Sequence, residues 1–241
     1  MATSLVRIGH AYGNTHRSID LACAAEVDSI EADLWYRDGA IYARHDRRLS
    51  PLPVLVDRKM RGHPLPPHSI QLFKGYYVRP DINPIKLPEL LERTQAGPRL
   101  LLDVKGSNDD AYARSFAKLL AKQIRGASAI DRVEVCGQLW PLLTHVGSEA
   151  PEIHRRFSIE KPNQWSEFLQ MTTRQQRTYD VCIEHRFLTD ERLTLLKKQG
   201  SSVYTWTVDR RDVAQALIER GVSGIISNSL QLLSSIAGAR A

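Results

Sequence analysis

An α/β fold, a TIM (β/α)8 barrel, is what this sequence predicts, and three observations predict it. Short apolar runs alternate with longer amphipathic stretches along the chain, as strand and helix do in parallel α/β folds. Eight such runs can be counted, enough for a parallel sheet to close on itself. The 241 residues, 42% hydrophobic and 25% charged, suffice for a single barrel domain spanning 1–241. A doubly wound open sheet is the main competing arrangement.

The expected strands are residues 5–10, 29–35, 100–105, 133–138, 156–160, 180–185, 203–208 and 223–228. A helix is expected from Asp109, because Phe116, Leu119, Leu120 and Ile124 recur at helical spacing. A second follows Thr189, a good N-cap, with acids in its first turn, lysines in its last and Gly200 just past its end. A third runs from Asp209 and stops at Gly221.

One stretch breaks this rhythm. Residues 50–90 hold eight of the twelve prolines and no long periodic run. The expectation is an extended proline-rich insertion after the second strand unit, either a lid that contacts substrate or a surface excursion.

Composition narrows the function classes. A net charge of +6 favours anionic partners, although the basic residues form no long run and also suit a solvated surface. Cys23, Cys136 and Cys182 are few and widely spaced, as expected of reduced thiols and not of a disulfide scaffold or a zinc site. The first ten residues show no signal-peptide pattern, and no apolar run is long enough to be a transmembrane segment. A cytoplasmic location is therefore expected. No glycine-rich phosphate loop and no nucleic-acid module is present, and oligomeric state is not legible.

The strand ends carry the chemistry. Side chains two apart on a strand share a face, so Glu31 and Asp33 point together, as do Asp103 and Lys105. His10 ends the first strand. The turn Asp38-Gly39 sends the second strand back through IYARH to His45 and Asp46. In a barrel these positions crowd the C-terminal rim, where active sites form. Three converging carboxylates repel one another unless a cation intervenes, and hard oxygen ligands select Mg²⁺ or Ca²⁺. Histidines suit proton transfer near neutral pH, and Lys105 can meet an anionic oxygen. Taken singly, each has a plain structural reading: a paired acid bound to a neighbouring base, a rim histidine, an Asp–Lys ion pair. Their placement on successive strands is what argues for a site. Trp206 and Tyr204 share a face and either fill the barrel or wall a substrate. Gln138, Glu160, Glu184, His185 and Asn228 also end strands and are candidates for the mouth.

The order IGH, IEADLWYRDGAIYARHD, PIKLPELLERT, LLLDVKG and VYTWTVDRRDVAQALIERGVSGIISN, spread over residues 8–228, resembles the glycerophosphodiester phosphodiesterase superfamily. The resemblance implies a TIM barrel, one divalent cation held by Glu31, Asp33 and Asp103, and two catalytic histidines, His10 and His45. We assign His10 as base and His45 as acid, with Asp46 behind the metal ligands or orienting His45. The implied substrate is a small-molecule phosphodiester or a lysophospholipid, with no nucleic acid. The sequence departs from the family pattern in three places. Ala11-Tyr12-Gly13 replaces the usual arginine-glycine after the first histidine, leaving Arg17 or Lys105 to meet the phosphate. The first loop is short, and Asp103 stands where glutamate is usual. The last two features resemble the sphingomyelinase D-type branch, a phospholipase D-like alternative acting on choline phospholipids. The run HDRRLSP after His45 keeps the diesterase form. The same residues also suit a non-catalytic phosphodiester-binding barrel, or a metal-dependent barrel enzyme of unrelated chemistry such as a sugar isomerase or aldolase.

Overall fold

A computed structural model of the chain describes residues 5–44, 55–58, 65, 69–72, 76–79 and 85–236. Eight parallel strands close into a barrel: β1 (Val6–Gly9), β2 (Ser29–Arg37), β8 (Arg99–Val104), β9 (Val133–Gly137), β10 (His154–Ile159), β11 (Asp180–Glu184), β12 (Val203–Trp206) and β13 (Gly224–Ser227). Closure is made by β1, which pairs with β2 on one side and β13 on the other. Each barrel strand is followed by a helix: α1 (His16–Ala24), α2 (Leu87–Arg93), α3 (Asp110–Gly126), α4 (Trp140–Glu149), α5 (Pro162–Gln175), α6 (Asp190–Lys198), α7 (Arg211–Glu219) and α8 (Leu230–Ile236). This is the TIM (β/α)8 barrel that the alternation predicts.

Two apolar cores follow from the pleat. The larger lies between the strands and the helices and takes Phe116, Leu120 and Ile124 of α3. The smaller fills the barrel itself with Ile8, Leu101, Cys136, Cys182, Tyr204 and Ile226. Positions two residues further along these strands reach the C-terminal mouth, so the pleat that fills the barrel also delivers His10, Asp103 and Trp206. The opposite end is polar. Buried Arg156 pairs with Glu134 while its guanidinium lies 3.5 Å from the centre of the Tyr204 ring.

The helix ends behave as their sequences predict. The Thr189 hydroxyl accepts from Arg192 N at 3.3 Å, and Gly200 and Gly221 adopt φ of +79° and +82° after α6 and α7. Asp38 and Gly39, with φ of +49° and +74°, form the two-residue turn into β3 (Ala40–Ala43), which pairs antiparallel with β2.

The stretch 50–90 contains short strands. The segments β4 (Leu55–Arg58), β5 (Ile70–Gln71) and β6 (Tyr76–Arg79) pair into a three-stranded antiparallel sheet in the order β4-β6-β5. Beyond it, β7 (Ile85–Lys86) pairs with β3, and α2 begins at Leu87. The last residues of the expected insertion are thus the second helix of the barrel. Short strands between prolines escape a periodicity reading, because two to four residues show no period. A lid role falls largely on positions outside the described residues.

Candidate active site

The mouth is built around three carboxylates. Among the described residues, the one cluster of histidine, cysteine or acidic groups able to hold a metal is Glu31, Asp33 and Asp103, with ligand atoms all within 4.8 Å. Glu31 and Asp33 come from alternate positions of β2. Asp103 lies directly across the ladder from Asp33 on β8. Burial pushes the Glu31 carboxyl well above its ordinary range, and the charges of Asp33 and Asp103 push it further. Lys105 opposes them: its Nζ lies 3.0 Å from Asp33 Oδ1 and also pairs with Asp103. Burial alone would lower the Lys105 ammonium, yet the three carboxylates raise it far above its ordinary value and keep it charged.

Two backbone devices fix the acids. Ala11, at φ 62°, donates its N–H to Glu31 Oε2 at 2.7 Å. Asn14 clamps Asp33 from both sides, donating Nδ2 to Asp33 Oδ2 at 2.8 Å and accepting from Asp33 N at 2.9 Å. The clamp needs the chain to lie flat on β2. Gly13 permits this, since a Cβ there would stand 2.5 Å from Ala32 Cβ. The residues that replace arginine-glycine therefore serve the acid cluster. Tyr12 is fully buried and donates its hydroxyl to Asn228 O at 3.0 Å.

His10 is oriented by a relay from the last two strands. Its Nδ1 lies 2.9 Å from Asn228 Oδ1, and Asn228 Nδ2 donates to Asp209 Oδ2 at 2.8 Å. Burial raises the Asp209 carboxyl, but hydrogen bonds from Asn228 and Ser227 outweigh it and hold the group below its ordinary range. An ionised Asp209 only accepts, so the Asn228 amide must present its oxygen to His10. The Nδ1 atom then carries the proton and Nε2 faces the cluster, 3.6 Å from Glu31 Oε2.

A cavity of about 250 Å³ joins these groups, lined by His10, Glu31, Asp33, Asp103 and Lys105 and walled by Trp206. Gln138, Ser158 and Glu160 complete its polar side, while Cys136 and Cys182 lie in its floor. The structure thus brings together most of the residues expected from sequence. Two of the candidates stand away from the cavity lining. Tyr204 lies below the cavity, stacked against Arg156, because the twofold period fixes its face but the barrel stagger fixes its depth. Arg17 sits half-exposed on α1 and does not line the cavity. His45 and Asp46 lie outside the described residues, and β3 leads toward them with Arg44 N donating to Asp33 O at 2.8 Å. Sequence reasoning missed Asn14 and Asp209. An acid placed directly after the WTV strand at the rim was the signal for Asp209.

The family match gives the class of protein: a phosphoric diester hydrolase. The chain belongs to the glycerophosphoryl diester phosphodiesterase family, whose family model matches residues 8–232. No curated protein sequence matches it. Solved structures of the same architecture include a glycerophosphoryl diester phosphodiesterase of Silicibacter pomeroyi, at TM-score 0.77 and 20% identity over 99% of this chain and 95% of that one. A phosphodiesterase of Oleispira antarctica, solved with the product sn-glycerol-3-phosphate, gives 0.73 and 16% over 97% and 96%. A glycerophosphodiester phosphodiesterase of Parabacteroides distasonis gives 0.71 and 17% over 100% and 99%. At these identities the likeness establishes the fold. Among the described residues no helix is long and apolar enough to cross a membrane.

Proposed function

We propose that the chain hydrolyses a small glycerophosphodiester-like substrate in this cavity, with one divalent cation, Mg²⁺ or Ca²⁺, held by Glu31, Asp33 and Asp103. The observation that carries this reading is the convergence of three carboxylates within 4.8 Å at the barrel mouth. The donor set fits a hard cation: it offers only oxygens, and the neighbouring charges that raise the Glu31 carboxyl are ones a cation would offset. Such an ion supplies charge neutralisation at a phosphate oxygen and makes a hydroxyl easier to deprotonate. The chain supplies the rest. His10 accepts the proton of the attacking hydroxyl at Nε2, the nitrogen that the Asn228 contact turns toward the carboxylates. His45, from its place in the sequence, returns a proton to the leaving alkoxide, with Asp46 orienting it. Lys105 offers positive charge to a phosphate oxygen, and Trp206 walls the side where the alcohol portion would lie.

The test is a panel of glycerophosphodiesters and lysophospholipids assayed with Mg²⁺, with Ca²⁺ and with EDTA, beside calorimetric cation binding. The expected result is turnover of a glycerophosphodiester that EDTA abolishes, lost in His10→Ala and His45→Ala, with cation binding lost in Asp103→Asn. Full turnover in either histidine variant, or in EDTA, would overturn the reading. Preferred release of the lipid headgroup from lysophospholipids would favour the sphingomyelinase D-type alternative.

A further inference from the structure

Two nucleophilic groups in this cavity have no part in the proposed hydrolysis. Cys136 on β9 and Cys182 on β11 are 3% and 1% exposed, and both line the cavity floor. They occupy inward positions on strands separated only by β10, where Cys136 pairs with Arg156 and Cys182 with Ser158. That two-residue offset is the stagger expected between alternate strands of an eight-stranded barrel, so the two thiols share one layer of its interior. Both belong to the same apolar cluster that fills the barrel, with Ile8, Leu101, Tyr204 and Ile226. The third thiol, Cys23, is exposed on α1 outside the barrel.

We propose that Cys136 and Cys182 form a dithiol site for a thiophilic centre, such as trivalent arsenic or a soft cation, at the base of the catalytic cavity. The topology argues for a bridge and against a disulfide. Neighbouring strands stand about 4.8 Å apart, which places Cα atoms two strands apart at about 9 Å. A disulfide requires about 4.4–6.8 Å. At that spacing the two inward thiols do not close a disulfide, and a single inserted atom bound to both can bridge them. Chemical softness separates this site from the carboxylates above it: thiolates select soft ions, and carboxylates select Mg²⁺ or Ca²⁺. With a monosubstituted arsenic(III) oxide as ligand, two S–As bonds form. The oxide oxygen leaves as water with both thiol protons, and nothing is oxidised or reduced. The adduct then occupies the space directly beneath His10 and Asp103.

The probe is phenylarsine oxide, applied to the full chain in Mg²⁺ after Cys23→Ser removes the external thiol. Native mass spectrometry should show one phenylarsenic group per chain and the loss of both titratable thiols. The adduct should be removed by a dithiol and resist a monothiol. Cys136→Ala and Cys182→Ala should each weaken capture at least about tenfold, because a chelate becomes a single bond. Absence of an adduct, or equal capture by the single-thiol variants, would overturn the proposal. Loss of hydrolysis on capture is expected as well. That arm rests on the proposed hydrolysis, whereas the mass readout does not, so the two readings fail separately.

Discussion

His10 owes its role to atoms that are distant in sequence. Asp209 commits one end of the Asn228 amide, the amide commits Nδ1 of the ring, and Nε2 is left toward the carboxylates. In Asp209→Asn the amide is free to turn, and the imidazole loses its preferred tautomer. The kcat should fall about 10- to 100-fold, the usual effect of removing a group that orients a reacting side chain, with KM and the unfolding midpoint little changed. A kcat equal to the parent's would show that the relay is not needed for proton transfer. The acids are legible at this scale because Glu31 and Asp33 obey the strand period. Asp209 is not, because only sheet closure brings the end of β12 beside β13 and β1.

At the scale of elements, local rules hold where an element's ends are solvated. In α6 the Thr189 cap, the acids Asp190 and Glu191 and the lysines Lys197 and Lys198 all agree with the helix dipole. Thr189→Ala should cost about 1 kcal/mol in urea unfolding, within the usual range of about 0.5–2 kcal/mol for a lost N-cap, and a change below about 0.3 kcal/mol would mean that packing alone sets this end. Such rules fail for the stretch before α2. The short strands β4, β5 and β6 acquire their identity from one another and not from a pattern within each.

Over the whole molecule, the two ends of the barrel divide the work. The mouth gathers like charges for chemistry, and the opposite end gathers opposite charges for stability. There Asp180 accepts from His154 at 2.8 Å and Ser202 N at 2.7 Å, with Arg156 at 3.7 Å. Burial raises its carboxyl, but these partners outweigh it and hold the group below its ordinary value of 3.8. A carboxylate depressed in the folded state adds stability that is whole above its unfolded value and is lost as pH falls through the folded one. The urea midpoint should therefore drop between about pH 5 and pH 2, and Asp180→Asn should flatten that drop while lowering the midpoint at neutral pH. An unchanged slope in the variant would assign the acid sensitivity to other carboxylates.

The sequence by itself determined the barrel, the eight strands, the caps of α6 and the acids at the mouth. Each of these follows from a period or a cap that neighbouring residues carry. Tertiary structure alone decided depth and pairing. Tyr204 and Trp206 share a face, yet one stacks on Arg156 in the interior and the other walls the cavity. Cys136 and Cys182 line one cavity floor although they stand 46 positions apart in sequence. The strand period fixes which way a side chain points, and the stagger of the closed sheet fixes how far along the barrel axis it stands.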